Sequence, residues 1–204
     1  MKITHALATA ALALASLSAQ AATEYVSNGS FESTAQTAGT WNIYNSVTGW
    51  TSTNGIEIRN DVVGVAQDGN NFVELDTAGN STIFQNVAAT GKVVLSFWYS
   101  ARPYTAATND IGVIFGGFNT ALLTGVSNNG STHNWQHFSQ VIDLGSATST
   151  NLVFYAAGTS DGLGGSLDNI SVTAVPEPET YAMLLAGLGL MGSIARRRKH
   201  NKAA

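Results

Sequence analysis

Residues 92–101 read Lys-Val-Val-Leu-Ser-Phe-Trp-Tyr-Ser-Ala, so that Val93, Leu95, Phe97 and Tyr99 alternate with Val94, Ser96, Trp98 and Ser100. A period of two sends successive side chains to opposite faces of a strand, which makes the first set a core face and the second an outward one. Similar patterning over 56–60, 72–76, 82–87, 110–115, 135–144, 152–157 and 166–173 predicts further strands. Asn54-Gly55, Asp68-Gly69, Asn129-Gly130 and the glycine-rich stretch 158–165 fall between them. These are turn formers, because Gly and Asn tolerate positive φ. No stretch of 24–174 sustains a helical period. About ten short strands predict an all-β fold, an antiparallel β-sandwich or jelly roll.

The two ends are patterned differently. Met1-Lys2, an apolar run over 6–17 and Ala19-Gln20-Ala21 form a charged start, a short apolar core and a small-residue cleavage site. This predicts a signal peptide over 1–21, removed on export. At the other end, Pro176-Glu177-Pro178 precedes an apolar run over 181–195 and the cluster Arg196, Arg197, Arg198, Lys199. As a helix, that run reaches about 22 Å, short of a hydrocarbon layer of about 30 Å. It suits transient insertion in the inner membrane, with the basic cluster held on the cytoplasmic side. The two prolines keep the preceding triplet extended, where a protease can reach it.

Residues 22–174 remain as one domain, large enough for a real core. Its fixed cations are Arg59, Lys92 and Arg102, against eleven carboxylates. Such a domain repels phosphate backbones, which excludes nucleic acid as a partner. The chain has no cysteine, so its core must hold it without disulfides.

Trp98, standing among small polar neighbours on the outward face, offers what a sugar-stacking platform needs: an aromatic face for C–H groups and polar partners for hydroxyls. Trp41, Tyr44, Trp50, Arg102 and Tyr104 are candidates to extend it; the alternative is that these aromatics close the ends of the sandwich. His133 and His137 flank Trp135. On an extended chain they lie about 13 Å apart, too far to share a zinc ion. Catalytic signatures such as Gly-x-Ser-x-Gly and His-Glu-x-x-His are missing. Glu57, Asp61, Glu74, Asp76 and Asp110 leave a glycosidase pair arithmetically open. The glycine-rich 158–165 lacks the Lys-Ser/Thr of a phosphate loop.

The order of motifs carries two resemblances. Val26-Ser-Asn-Gly-Ser-Phe-Glu32, Thr48-Gly-Trp50, Asp68-Gly-Asn-Asn-Phe-Val-Glu-Leu-Asp76, Ile83-Phe-Gln-Asn86 and Gly165-Ser-Leu-Asp-Asn-Ile-Ser-Val172 resemble galactose-binding-like jelly rolls, many of them carbohydrate-binding modules. That resemblance implies a possible structural Ca²⁺ where the first and last strands meet, with Glu32 and Asp168 at the carboxylate positions. Calcium takes six to eight oxygens; the alternative is that both carboxylates accept backbone hydrogen bonds. The tail over 175–204 resembles the PEP-CTERM sorting signal of bacterial exported proteins: Pro176-Glu177-Pro178, an apolar helix over 181–195 and a basic cluster over 196–199. It implies an exosortase-type membrane protease, removal of the tail, and a final place at the cell surface or in an extracellular matrix. The expected function is to bind or organise extracellular polysaccharide without catalysis. The rivals are a structural or adhesion matrix protein with protein partners and a glycan-degrading enzyme.

Overall fold

The computed structural model describes residues 22–105, 110–120, 123–125, 132–175 and 187–192. The signal peptide over 1–21, Pro176, Glu177, Pro178 and Arg196–Lys199 lie outside them, as does most of the apolar run 181–195.

Eleven strands form within the described residues: β1 Thr40–Val47, β2 Trp50–Asn60, β3 Asn71–Glu74, β4 Thr82–Val87, β5 Lys92–Ser100, β6 Asp110–Phe115, β7 Phe118–Asn119, β8 Leu123–Thr124, β9 Gln136–Asp143, β10 Thr150–Ala157 and β11 Ser166–Ala174. Their pairings are antiparallel throughout. The hydrogen-bonded path runs β7-β6-β10-β4-β2-β3-β11-β5-β9, with β1 beside β2 and β8 beside β6.

The long strand β2 turns this path into a sandwich. Its start, Thr51 and Ser52, pairs with β4, while its end, Glu57 to Asn60, pairs with β3. Gly55, between the halves, has φ of 91°, a conformation a side chain resists. A Cβ there would also lie 2.5 Å from Ile43 Cγ2. The halves therefore belong to two layers, an inner-facing sheet of β6, β10 and β4 and a second of β3, β11, β5 and β9. Across the gap Phe97 of β5 meets Phe154 of β10 edge-on, ring centres 4.9 Å apart.

Between the layers lie Ile56, Ile58, Val73, Leu95, Phe97, Val113, Phe154 and Leu167, all buried. The period of two along β5 produces the expected division up to Trp98: Val93, Leu95 and Phe97 are fully buried, whereas Val94, Ser96 and Trp98 are half-buried on the other face. At the strand's end Tyr99 is only partly buried and Ser100 is buried, its hydroxyl accepting the Asn134 N–H. The predicted strands over 82–87 and 110–115 coincide with β4 and β6. β1 had no counterpart in the sequence reading, and β2 begins six residues before the predicted 56–60. The reason is that most of β1 is exposed on both faces, so no alternation marks it.

Candidate functional site

The outward face of the second sheet gathers the groups of chemical interest. Register places Ile43 opposite Glu57, Glu57 opposite Glu74, Glu74 opposite Ser166 and Ser166 opposite Ser100. One residue along, Trp41 faces Arg59 and Arg59 faces Phe72. Asp168 faces Trp98, which faces His137.

Two carboxylates directly opposite on adjacent strands repel, and Arg59 relieves that repulsion. Arg59 Nη2 lies 2.5 Å from Glu57 Oε1 and Arg59 Nε 3.1 Å from Glu74 Oε2. Arg102 adds a second cation, donating from its terminal nitrogen to Glu74 Oε1 at 2.9 Å and to the Gly162 carbonyl at 3.2 Å. Glu57, Arg59 and Glu74 are each at most 4% exposed. The arrangement is electrostatic more than directional: Glu57 Oε1, Arg59 Nε and Arg59 Nη1 lack a well-aligned hydrogen bond. Burial pushes the Glu74 carboxyl up to about 7, with the two arginines opposing it. Burial also raises Glu57, again against Arg59. The period of two placed Glu57 and Arg59 opposite to Ile56 and Ile58, yet nothing local in the sequence signalled that this outward side is covered.

The cover comes from loops. Phe72 is fully buried on this outer side, packed edge-on against His133 at 4.7 Å and Trp135 at 6.0 Å. His133 Nδ1 donates to the Val65 carbonyl, 3.2 Å away, and Nε2 takes the Ser166 hydroxyl at 3.0 Å. Burial holds this imidazole down to about 4, so it is neutral. His137 is exposed and leans on Trp98, ring centres 4.8 Å apart. The two histidines therefore occupy different environments.

The candidate aromatics separate. Trp41 is 53% exposed, with the Arg59 guanidinium carbon 5.9 Å from its ring centre. Tyr104 is 67% exposed on the loop after β5. Trp98 is half-buried beside His137. Tyr44 packs against the core and hydrogen-bonds Gln36 through its hydroxyl. Arg102 belongs to the ion network. Trp50 must be removed from the group: it is 1% exposed, lies between Phe31 and Phe154, and spends its indole N–H on the Asn28 carbonyl. Trp41 and Trp98 lie on one face four strands apart, about 19 Å at the usual interstrand spacing. At the end of β2 opens a cleft of about 190 Å³ lined by Ala38, Asn60, Asp61, Val65, Gly69 and Asn70 among others.

Glu32 and Asp168 act together on one loop. Glu32 Oε1 accepts the backbone N–H of Asn70 and Asn71 at 2.8 and 2.6 Å. Asp168 Oδ2 accepts those of Gln67 and Asp68 at 2.7 and 2.9 Å, and Oδ1 that of Asn169. Burial drives Asp168 up to about 7 against these bonds. Three of the four carboxylate oxygens thus face N–H donors, whose positive ends repel a cation. No three acidic or histidine side chains converge among the described residues. As arranged, the donor set does not fit a calcium cage; it fits an amide clamp. Asp76 makes a similar clamp on the neighbouring loop, its Oδ2 accepting the amides of Asp161 and Gly162 at 2.8 Å each.

Comparison with known proteins bears on both parts of the chain. Residues 174–199 match the PEP-CTERM protein-sorting motif. Residues 187–192, inside it, are helical and exposed; among the described residues no helix is long and apolar enough to cross a membrane. The multifunctional-autoprocessing repeats-in-toxin of Vibrio cholerae serotype O1 is 30% identical over 142 residues, which is 66% of this chain and 3% of the toxin. The chain thus spans a small fraction of that relative's length. A family 35 carbohydrate-binding module from Clostridium thermocellum is similar at 20% identity, covering 67% of this chain and all of the module, with a TM-score of 0.43. A module titled "Family 16 Carbohydrate Binding Module-2" matches at 16% identity over 74% of this chain and 99% of its own, with a TM-score of 0.48. Another family 35 module, from Paenibacillus barcinonensis, matches at 21% identity over 67% of this chain and all of its own, with a TM-score of 0.42. The chain is an all-β jelly roll carrying a PEP-CTERM sorting motif, a motif that marks exported proteins sorted by an exosortase.

Proposed function

We propose that this protein is carried to the cell surface or extracellular matrix, where its jelly roll binds or organises polysaccharide without catalysis. The observation that carries the reading is Trp41. A large aromatic left 53% exposed on a strand without a single charged residue presents a flat apolar face with hydroxyl and amide groups around it. Its underside rests near Arg59, which is fixed by Glu57 and Glu74. A ring preorganised in this way loses little freedom when a sugar stacks on it. Trp98, with His137 at its side, offers a second contact farther along the same face. Of the five carboxylates that left a glycosidase pair open, Glu57 and Glu74 are buried and tied to arginines, and Asp76 is buried on loop amides. That favours binding over chemistry.

The route to the surface follows from the tail. An exosortase-type protease cleaves after transient insertion in the inner membrane, and residues 196–199 do not remain in the mature protein. Affinity electrophoresis of residues 22–175 through gels containing the organism's own polysaccharide tests the binding reading. Retardation that Trp41→Ala abolishes is the expected result. Release of reducing sugar, lost on substitution of a single carboxylate, would favour the enzyme instead.

A matrix-protein reading has one observation in its favour. β1 pairs with β2 on one side, and its eight residues carry no charge to discourage pairing with another chain. Concentration-dependent self-association with no glycan retention would move the assignment there.

A further inference from the structure

We infer that the ligand of the Trp41 face is a glycan without acidic groups, whose ring substituents donate a hydrogen bond to Asp61. This rests on the glycan reading and names its chemical class. Every side-chain cation of residues 22–174 can be placed, because the segments left undescribed inside that range contain no Lys or Arg. Arg59 is 4% exposed and committed to Glu57 and Glu74. Arg102, with a side chain 17% exposed, is committed to Glu74 and the Gly162 carbonyl. Lys92 is exposed at the start of β5, opposite Asp143 in register. Six residues of strand separate it from Trp98, about 20 Å, and Trp41 is farther still. At physiological salt that is more than twice the screening length of about 8 Å.

A uronate, sulfate or phosphate group stacked at Trp41 therefore meets no exposed cation: Arg59, 5.9 Å from the ring centre, is buried and already paired with Glu57 and Glu74. The exposed charge nearest to Arg59 along the chain is Asp61, two residues beyond it at the end of β2 and lining the cleft there together with Asn60 and Asn70. Thr40 and Asn60 are register partners, as are Trp41 and Arg59, so the cleft opens at the end of the β1–β2 pair, one residue along from the ring. The cleft's 190 Å³ lies below the roughly 300 Å³ at which sites for drug-sized ligands begin. It has room for one sugar ring at the margin of the sheet. A carboxylate only accepts hydrogen bonds, so the ring group it receives is a donor: a hydroxyl on a neutral sugar or an ammonium on an amino sugar.

The test is affinity electrophoresis of the domain at low salt through a neutral glucan, a neutral galactan, glycol chitosan and polygalacturonate. Asp61 sits at φ of 52°, where Asn is among the residues that fit best, so Asp61→Asn preserves the backbone and removes the charge. Retention by a neutral or amino-bearing gel, weakened about tenfold by Asp61→Asn, with none by polygalacturonate, is the expected result. The neutral and amino arms then say which donor is read. Polygalacturonate retaining the wild-type domain more strongly than every other gel overturns the inference and leaves the glycan reading standing. Unchanged retention of Asp61→Asn removes Asp61 from the site. No retention in any gel defeats the glycan reading itself.

Discussion

Arg59 faces Trp41 across β1 and β2, its guanidinium carbon 5.9 Å from the ring centre. The same guanidinium holds Glu57 on its own strand and Glu74 on the next. One buried cation therefore bridges two opposed carboxylates, with Arg102 as the second counter-charge on Glu74, and lies close to an exposed aromatic surface.

Removing Arg59 leaves two buried carboxylates short of a counter-charge. Arg59→Met is expected to destabilise the domain by about 3–5 kcal/mol, the usual cost of breaking a buried pair on one side. Urea denaturation measures it. A loss below about 1 kcal/mol would mean the network contributes nothing.

Trp41 and Trp50 should behave oppositely. Trp41→Ala forfeits one exposed cation–π contact, about 0.5–1 kcal/mol, and is expected to abolish glycan retention. Trp50→Ala opens the core between Phe31 and Phe154 and is expected to cost about 3–5 kcal/mol. Comparable destabilisation by both changes would contradict the placement of these rings.

Stability should fall as pH rises from about 5 to 7. Burial lifts Glu74 and Asp168 to about 7, so the folded chain keeps protons that the unfolded chain has released. That contribution is complete below their ordinary values and is lost as pH climbs through 7. His133, lowered to about 4, works in the other direction, adding stability as pH rises from 4 to 6.5. The two carboxyls outweigh the one imidazole, so stability falls on the way up to pH 7 and levels off above it. Melting temperatures across this range, with Glu74→Gln flattening the slope, check the sign.

Glu32 and Asp168 hold the 67–71 loop through backbone amides. Millimolar Ca²⁺ or a chelator is expected to leave the melting temperature unchanged. A ligand that binds the folded state raises it, so a calcium-dependent rise of several degrees would restore the metal.

Intact mass spectrometry of the protein recovered from its native cells should give a C-terminus upstream of residue 196. A mature chain ending with Arg196–Lys199 and the residues beyond would overturn the sorting proposal.

Local pattern was sufficient for much of this protein. Alternation along residues 92–100 divides core from outward face because a strand's side-chain period is fixed by its backbone. The motif at 174–199 is equally local, since it is read as a short stretch of chain. The sandwich's aromatic assignments were not local. Trp41 and Trp50 are nine positions apart, and nothing in their flanks says that one will be solvated and the other enclosed. That was settled by β2 crossing from one sheet to the other, which turns Trp50 inward onto Phe31 and Phe154 while β1 stays at the margin. Likewise the period of two turns Glu57, Arg59 and Glu74 outward, and only loops far away in sequence bury them. Chain periodicity determines which way a side chain points; only the tertiary structure decides whether water, another layer or a loop waits there.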